Sequence, residues 1–197
     1  MLKFGHGSSV QCRARGFKVE LAFKVIVIFT VIQRLSELVL SKSNEKHICA
    51  QGGQVLPETN YIFMVMLHTS WLLVIIYYAF FNNLNFSTLF FPLFLVLFFI
   101  GQTFRIVAIK TLGRRWSTRV MILPEAPAIN HGLFKTFRHP NYIGVVIEIA
   151  ALPLMAGLWP VAVIFSILNG VILFFRIRFE EEMLKEYCDY ENRLIKR

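Results

Sequence analysis

With 197 residues, 56% of them hydrophobic, twenty phenylalanines and a mean hydropathy of +0.57, the chain carries more apolar surface than one soluble domain of its size can bury. Lipid must solvate much of it. The net charge of +9 sits mainly in loops and tails, which reads as membrane topology and attraction to anionic headgroups, and no nucleic-acid-binding module accompanies it.

In chain order, five segments are long enough to cross about 30 Å of hydrocarbon as helices: 21–40, 61–81, 87–108, 141–157 and 159–176. The first follows Arg13, Arg15 and Lys18 without a small-residue cleavage site, so it reads as a retained span, although Lys24, Arg34 and Glu37 interrupt it. In the second, His68 beside Trp71 suits an interhelical hydrogen bond better than a ligand role. The aromatic run from Leu89 to Phe99 in the third reads as lipid-facing or packing surface. Gly157-Leu158-Trp159-Pro160 is a tight break with a headgroup-level Trp, so the last two segments should form an antiparallel hairpin.

With the N-terminus outside, fourteen Lys and Arg residues fall on the cytoplasmic side against four on the other, which places the C-terminus inside; the basic N-terminal flank pulls the opposite way. Under either orientation the loop before the fourth segment and the C-terminal tail share a face. Repeats, low-complexity tracts and flexible linkers are absent from the sequence. Residues 1–197 therefore read as a single all-α, polytopic membrane domain with about five transmembrane helices, a C-terminal hairpin and an amphipathic cytoplasmic tail. Cys12, Cys49 and Cys188 have no zinc-like, disulfide-framework or prenylation spacing, so no metal and no lipid anchor are expected.

Rossmann, Walker, nucleophile-elbow and zinc-protease motifs are missing, so chemistry has to come from the hairpin and its flanks. Pro140 suits the first turn of a helix, where its missing N–H is harmless, and Arg138 and His139 then stand at a helix entrance whose free amides attract anions. At the other end of the hairpin, Arg176 and Glu180, like Arg178 and Glu182, are spaced i,i+4 on one helical face. They form either a solvated ion-paired helix end or an anion-orienting arginine with a carboxylate for a hydroxyl or amine. Glu148 falls mid-span between Ile147 and Ile149, where a carboxylate is paired or functional; Arg34, Glu37 and Arg105 are its candidate partners.

Leu112-Gly113-Arg114-Arg115-Trp116-Ser117-Thr118-Arg119, Leu123-Pro124 with Ala126-Pro127, Gly132, Arg138-His139-Pro140-Asn141-Tyr142 and the run from Arg176 to Glu182 together resemble the isoprenylcysteine carboxyl methyltransferase family. The likeness is greatest to its short bacterial branch, associated with methylating alkylpyrones made by type III polyketide synthases. The resemblance covers most of the chain from about Arg34 onward. It implies a helical membrane enzyme of the bacterial inner membrane that binds S-adenosylmethionine at its cytoplasmic face, with the cofactor-binding part at about 110–197. By that likeness Gly132, Leu133 and Phe134 would hold the methionyl end, His139 and Tyr142 would contact the nucleoside, and Arg138 beside them would belong to the same cofactor-binding set. Glu180 or Glu181 would complete the clamp, and Arg176 would face a lipophilic acceptor drawn from the bilayer. Two positions depart from the family pattern: Phe134 stands where Tyr is frequent, and Glu148 where relatives acting on prenylcysteine have Trp.

Arg176 suffices to orient a carboxylate or acidic enol, whereas a less acidic hydroxyl needs a base, for which Glu148 is the intramembrane candidate. Three other readings compete: an NADPH-dependent membrane reductase of the sterol type, whose hairpin carries a similar HPNY element; a phospholipid N-methyltransferase; and a non-catalytic membrane scaffold.

Overall fold

The computed structural model describes residues 6–187 apart from 59, 60, 85, 124, 125, 127 and 128, with side chains from 18 to 185. Five helices carry the fold: α1 (His6–Ala50), α2 (Tyr61–Phe81), α3 (Phe90–Leu112), α4 (Pro140–Met155) and α5 (Trp159–Tyr187). Two short strands, β1 (Gln54–Val55) and β2 (Met121–Ile122), pair antiparallel and tie the loop after α1 to the loop after α3.

Tyr61–Phe81, Phe90–Arg115 and Trp159–Lys185 are long and apolar enough to cross a membrane. The other two expected crossings take different forms. At 16 residues, α4 is about 24 Å long and falls short of the full hydrocarbon thickness by itself. The 21–40 segment is the middle of one continuous 45-residue helix. Helix α1 presents a single inward stripe at spacings of three, four and seven: Phe23, Val27, Thr30, Glu37, Ser41, Asn44 and Ile48 are all buried. That stripe is apolar where it meets the core and polar where it meets the loops. Its opposite face, including Val25, Phe29, Ile32, Leu35 and Val39, is exposed apolar surface suited to lipid.

Helices α3 and α4 cross at Gly101 and Gly144, where a Cβ on Gly144 would stand 2.6 Å from the Gly101 carbonyl oxygen. Only backbone fits between them, and this close approach lets α4 sit deep in the bundle. Its buried residues include Val145, Glu148, Ile149 and Leu152. The hairpin turns where expected: α4 stops at Met155, Gly157 takes φ 70°, and α5 begins at Trp159. The Trp159 ring lies edge-on to Phe90 and Phe94, with centroids 5.9 and 6.1 Å away. Helix α5 then continues past Arg176 to Tyr187, because Glu, Met, Leu and Lys are good helix formers beyond the apolar stretch. The expected tail from 188 onward lies outside the described residues.

Candidate active site

The start of α4 and the polar end of α5 meet. Pro140 occupies the first turn, and the His139 carbonyl accepts hydrogen bonds from the amides of Tyr142 at 3.1 Å and Ile143 at 3.3 Å. His139 and Tyr142 are one helical turn apart and stack with centroids 5.3 Å apart and planes 13° from parallel. Because α5 runs on as a helix, it delivers two carboxylates to this pair. Glu181 Oε1 lies 3.3 Å from His139 Nε2 and 3.6 Å from Arg138 Nη1, and Glu180 Oε2 accepts the Tyr142 hydroxyl. The loop before α4 and the end of α5 thus form one cluster.

Arg176 lies at its centre with its side chain 4% exposed. Its Nε donates to the Tyr142 hydroxyl oxygen at 3.0 Å, Nη2 donates to the Thr118 carbonyl, and Nη1 meets the Met64 sulfur. The i,i+4 partner Glu180 therefore reaches Arg176 through Tyr142. Arg178 stacks over the Phe174 ring at 5.0 Å. The polar half of α1 fixes the loop that carries Thr118: Ser41 Oγ accepts the Thr118 amide at 2.9 Å, and Asn44 Nδ2 donates to the Trp116 carbonyl at 2.8 Å.

Glu58 was not among the expected site residues. Its Oε1 lies 3.6 Å from Arg176 Nη1, and its side chain is 4% exposed. It sits in the loop between β1 and α2, where no periodicity or motif marks it. Burial raises its carboxyl above the ordinary range; Arg176 opposes the shift and Glu180 adds to it. A raised folded-state value means stability that is present below the unfolded carboxylate range and is lost as pH rises through the folded value. Glu58→Gln removes that loss. Its melting temperature relative to the parent protein should therefore climb between pH 4 and pH 7 in thermal melts in detergent; a flat difference would contradict the assignment.

These groups border a cavity of about 440 Å³. Phe134, His139, Asn141, Tyr142, Arg176 and Glu180 form its polar end. Leu35, Leu38, Val65 and Leu73 of α1 and α2 wall the other side and are exposed, which makes that end of the cavity apolar. Of the remaining expected residues, Gly132 and Leu133 form a 3-10 turn (Gly132–Lys135) leading to Phe134, with Gly132 at φ 59°. With Arg138 and Glu181, they stand beside the cavity and not on its wall.

Glu148 is fully buried behind the wall in a charge quartet with Arg34, Glu37 and Arg105. Arg34 Nη2 donates to Glu148 Oε2 at 2.7 Å, Arg105 Nε lies 3.5 Å from the same oxygen, and Glu37 is paired with both arginines. Two cations and two anions from α1, α3 and α4 neutralise one another, while Arg34, Glu37 and Arg105 reach the cavity. The reading of His68 needs correcting: its Nδ1 bonds to the Met64 carbonyl of its own helix at 2.8 Å, and the ring borders the cavity instead of bridging two helices.

The polar cluster, the hairpin and the α3–α4 crossing fall within one stretch of chain that other proteins share. Residues 90–186 match the isoprenylcysteine carboxyl methyltransferase family. This family segment contains every expected site residue, whereas Arg34, Glu58 and His68, on or near α1 and α2, lie outside it. The uncharacterized Bacillus subtilis (strain 168) protein YpbQ is 29% identical over 165 residues, covering 84% of this chain and 98% of its own length. An uncharacterized Haemophilus influenzae protein is 29% identical over 153 residues, covering 77% of this chain and 88% of its own. No solved structure matches the chain. The three apolar helices together with the family match indicate an integral membrane protein, and the family points to methyl transfer. Among the described residues no cluster of His, Cys, Asp or Glu could hold a metal ion.

Proposed function

We propose that the protein is an S-adenosylmethionine-dependent O-methyltransferase that acts from within the membrane on a lipophilic acceptor bearing an acidic oxygen, a carboxylate or an enol. The observation that carries this reading is the one cavity in which an apolar wall meets the Arg176–Tyr142–Glu180 relay. Half of it suits an oily ligand. The other half suits a polar one.

The residues at the polar end fit the cofactor. Asn141 lines the cavity, and its Oδ1 is buried with no partner, an acceptor left for an amino or hydroxyl donor. The stacked His139–Tyr142 pair offers a flat face, and Glu180 and Glu181 offer carboxylates to ribose hydroxyls or an ammonium. The turn at Gly132, Leu133 and Phe134 would hold the methionyl end. S-adenosylmethionine, when bound, supplies a methyl group on a sulfonium that an acceptor oxygen can displace in line. The protein's share is to exclude water with the apolar walls and to aim the acceptor oxygen with the buried, always charged Arg176 guanidinium. Glu148, engaged by two guanidiniums and set behind the wall, is assigned a positioning role: it holds Arg34 and Arg105 at the cavity. In this reading the polar end, flanked by basic loops, faces the cytoplasm at a bacterial inner membrane, and α1 and α4 complete five passes.

Calorimetry on the detergent-solubilised protein with S-adenosylhomocysteine and with NADPH tests the cofactor. Micromolar binding of the first and none of the second is expected. The reverse result would favour a sterol-type reductase, and binding of neither would leave a scaffold. Tritiated methyl recovered in a phospholipid headgroup amine would replace the O-methyl reading with N-methylation.

A further inference from the structure

We propose that Glu58 is the resident counterion of Arg176, a positioning residue that takes up a proton when an anionic oxygen settles on the guanidinium and returns it once methyl transfer has neutralised that oxygen. The inference rests on the methyltransferase reading above and adds to it how the acceptor site is filled and emptied.

The three nitrogens of Arg176 are not held alike. Nε donates to the Tyr142 hydroxyl oxygen and Nη2 to the Thr118 carbonyl, whereas Nη1 meets the soft Met64 sulfur and, at 3.6 Å, Glu58 Oε1. That separation makes an ion pair but not a hydrogen bond. Both carboxyl oxygens of Glu58 are buried with no hydrogen-bond partner, so its charged form depends chiefly on the guanidinium. Tyr61, Met64, Thr118 and Arg176 border the cavity, and Glu58 stands behind them. An oxygen that reaches the guanidinium from the cavity therefore shares one cation with a carboxylate at its back.

The groups facing Glu58 come from several elements. Helix α5 supplies Arg176 and Glu180, and the loop before β2 supplies Arg119, whose guanidinium lies 4.8 Å over the Tyr61 ring of α2. Tyr142 of α4 reaches Glu58 through Arg176. Burial raises the Glu58 carboxyl above the ordinary range; Arg176 opposes the shift, Glu180 adds to it, and the Val120 amide and Arg119 oppose it. A ligand anion on Arg176 acts in the same sense as Glu180 and raises it further. Between the empty and the occupied values, binding draws a proton from water and forms an O–H bond on the Glu58 carboxyl. Methyl transfer then leaves the acceptor oxygen neutral, the Glu58 O–H bond breaks, its electron pair stays on the carboxylate and the proton returns to water. The product now faces a guanidinium whose charge is already matched, which favours its departure.

Decanesulfonate, an oily anion that stays ionised across the working range, reads this coupling without turnover. Calorimetry on the detergent-solubilised protein, in buffers of small and of large ionisation heat, counts the protons. The parent protein should take up to about one proton per sulfonate bound and lose about tenfold in affinity from about pH 5 to about pH 8. The loss runs in that direction because Glu58 is neutral at the acid end and competes for Arg176 once ionised. Glu58→Gln should bind the sulfonate with this uptake and this loss removed. Infrared difference spectra give a second reading: sulfonate binding should bring up the carbonyl band of a protonated carboxyl in the parent protein and not in Glu58→Gln. No proton uptake by the parent, equal uptake by the two proteins, or failure of the parent to bind the sulfonate would overturn the proposal. Calorimetry with S-adenosylhomocysteine on both proteins separates the two readings. Absence of that binding with proton uptake intact would remove the methyltransferase and leave Glu58 as the counterion of an anion-binding cavity. Normal S-adenosylhomocysteine binding with no proton uptake by the parent would do the reverse.

Discussion

Arg176→Ala should lower kcat/KM for the lipophilic acceptor by about 10²–10³-fold, the usual loss when a preorganised charge-stabilising donor is removed. The guanidinium is nearly sealed from solvent and held from several sides, by Tyr142, Thr118, Met64 and Glu58. An acceptor oxygen therefore meets a donor that needs no reorganisation. Arg176→Lys keeps the charge but lacks the planar fork that reaches Tyr142 and Thr118 together, so it should recover only part of the rate. The alanine variant also leaves the buried Glu58 without its paired guanidinium, and Arg176→Ala/Glu58→Gln serves as a partner that removes this stability defect. Transfer of tritiated methyl into lipid-extractable product, with a total lipid extract as the acceptor pool, gives the rates. Near-parental turnover by the double variant would remove Arg176 from the reaction.

The second large effect concerns folding. Glu148→Ala should destabilise the protein by about 3–5 kcal/mol, because it leaves Arg34 and Arg105 facing each other in the bundle with only Glu37 between them. Exchanging Glu148 and Arg105 together for methionines should cost less than either single change, since no uncompensated charge then remains at that end of the quartet. Denaturant melts in detergent measure all three. Glu148→Gln separates structure from chemistry: as a positioning residue Glu148 tolerates it with some loss of stability but an unaltered pH profile of turnover. A profile that lost its acidic limb with this substitution would return Glu148 to proton transfer.

Several features were legible because they are local. Pro140 starts α4, Gly157 and Trp159 turn the hairpin, and the Arg138–Tyr142 and Arg176–Glu182 segments stand at its polar end, because helix entrances, turns and i,i+4 spacing depend on neighbouring residues alone. Arg34, Glu37 and Arg105 were identifiable as partners for Glu148, since an intramembrane charge demands compensation. The pairing itself depended on how α1, α3 and α4 pack. Reading α1 as a short apolar crossing missed its inward stripe, because half of that stripe is polar and hydropathy sees only the lipid side. The reading of His68 depended on which carbonyl its ring would find.

By itself, the order of residues determined that this is a helical protein solvated by lipid, with a polar cluster at the mouth of its last hairpin: apolar run length, charge placement and turn residues act within a few positions along the chain. Tertiary structure alone decided that Glu58 reaches Arg176, that Glu148 is spoken for, and that one cavity joins the α1–α2 wall to the family segment. Those are contacts between side chains up to 118 positions apart in the sequence, and the Gly101–Gly144 crossing and the strand pairing that bring their helices together are properties of packing.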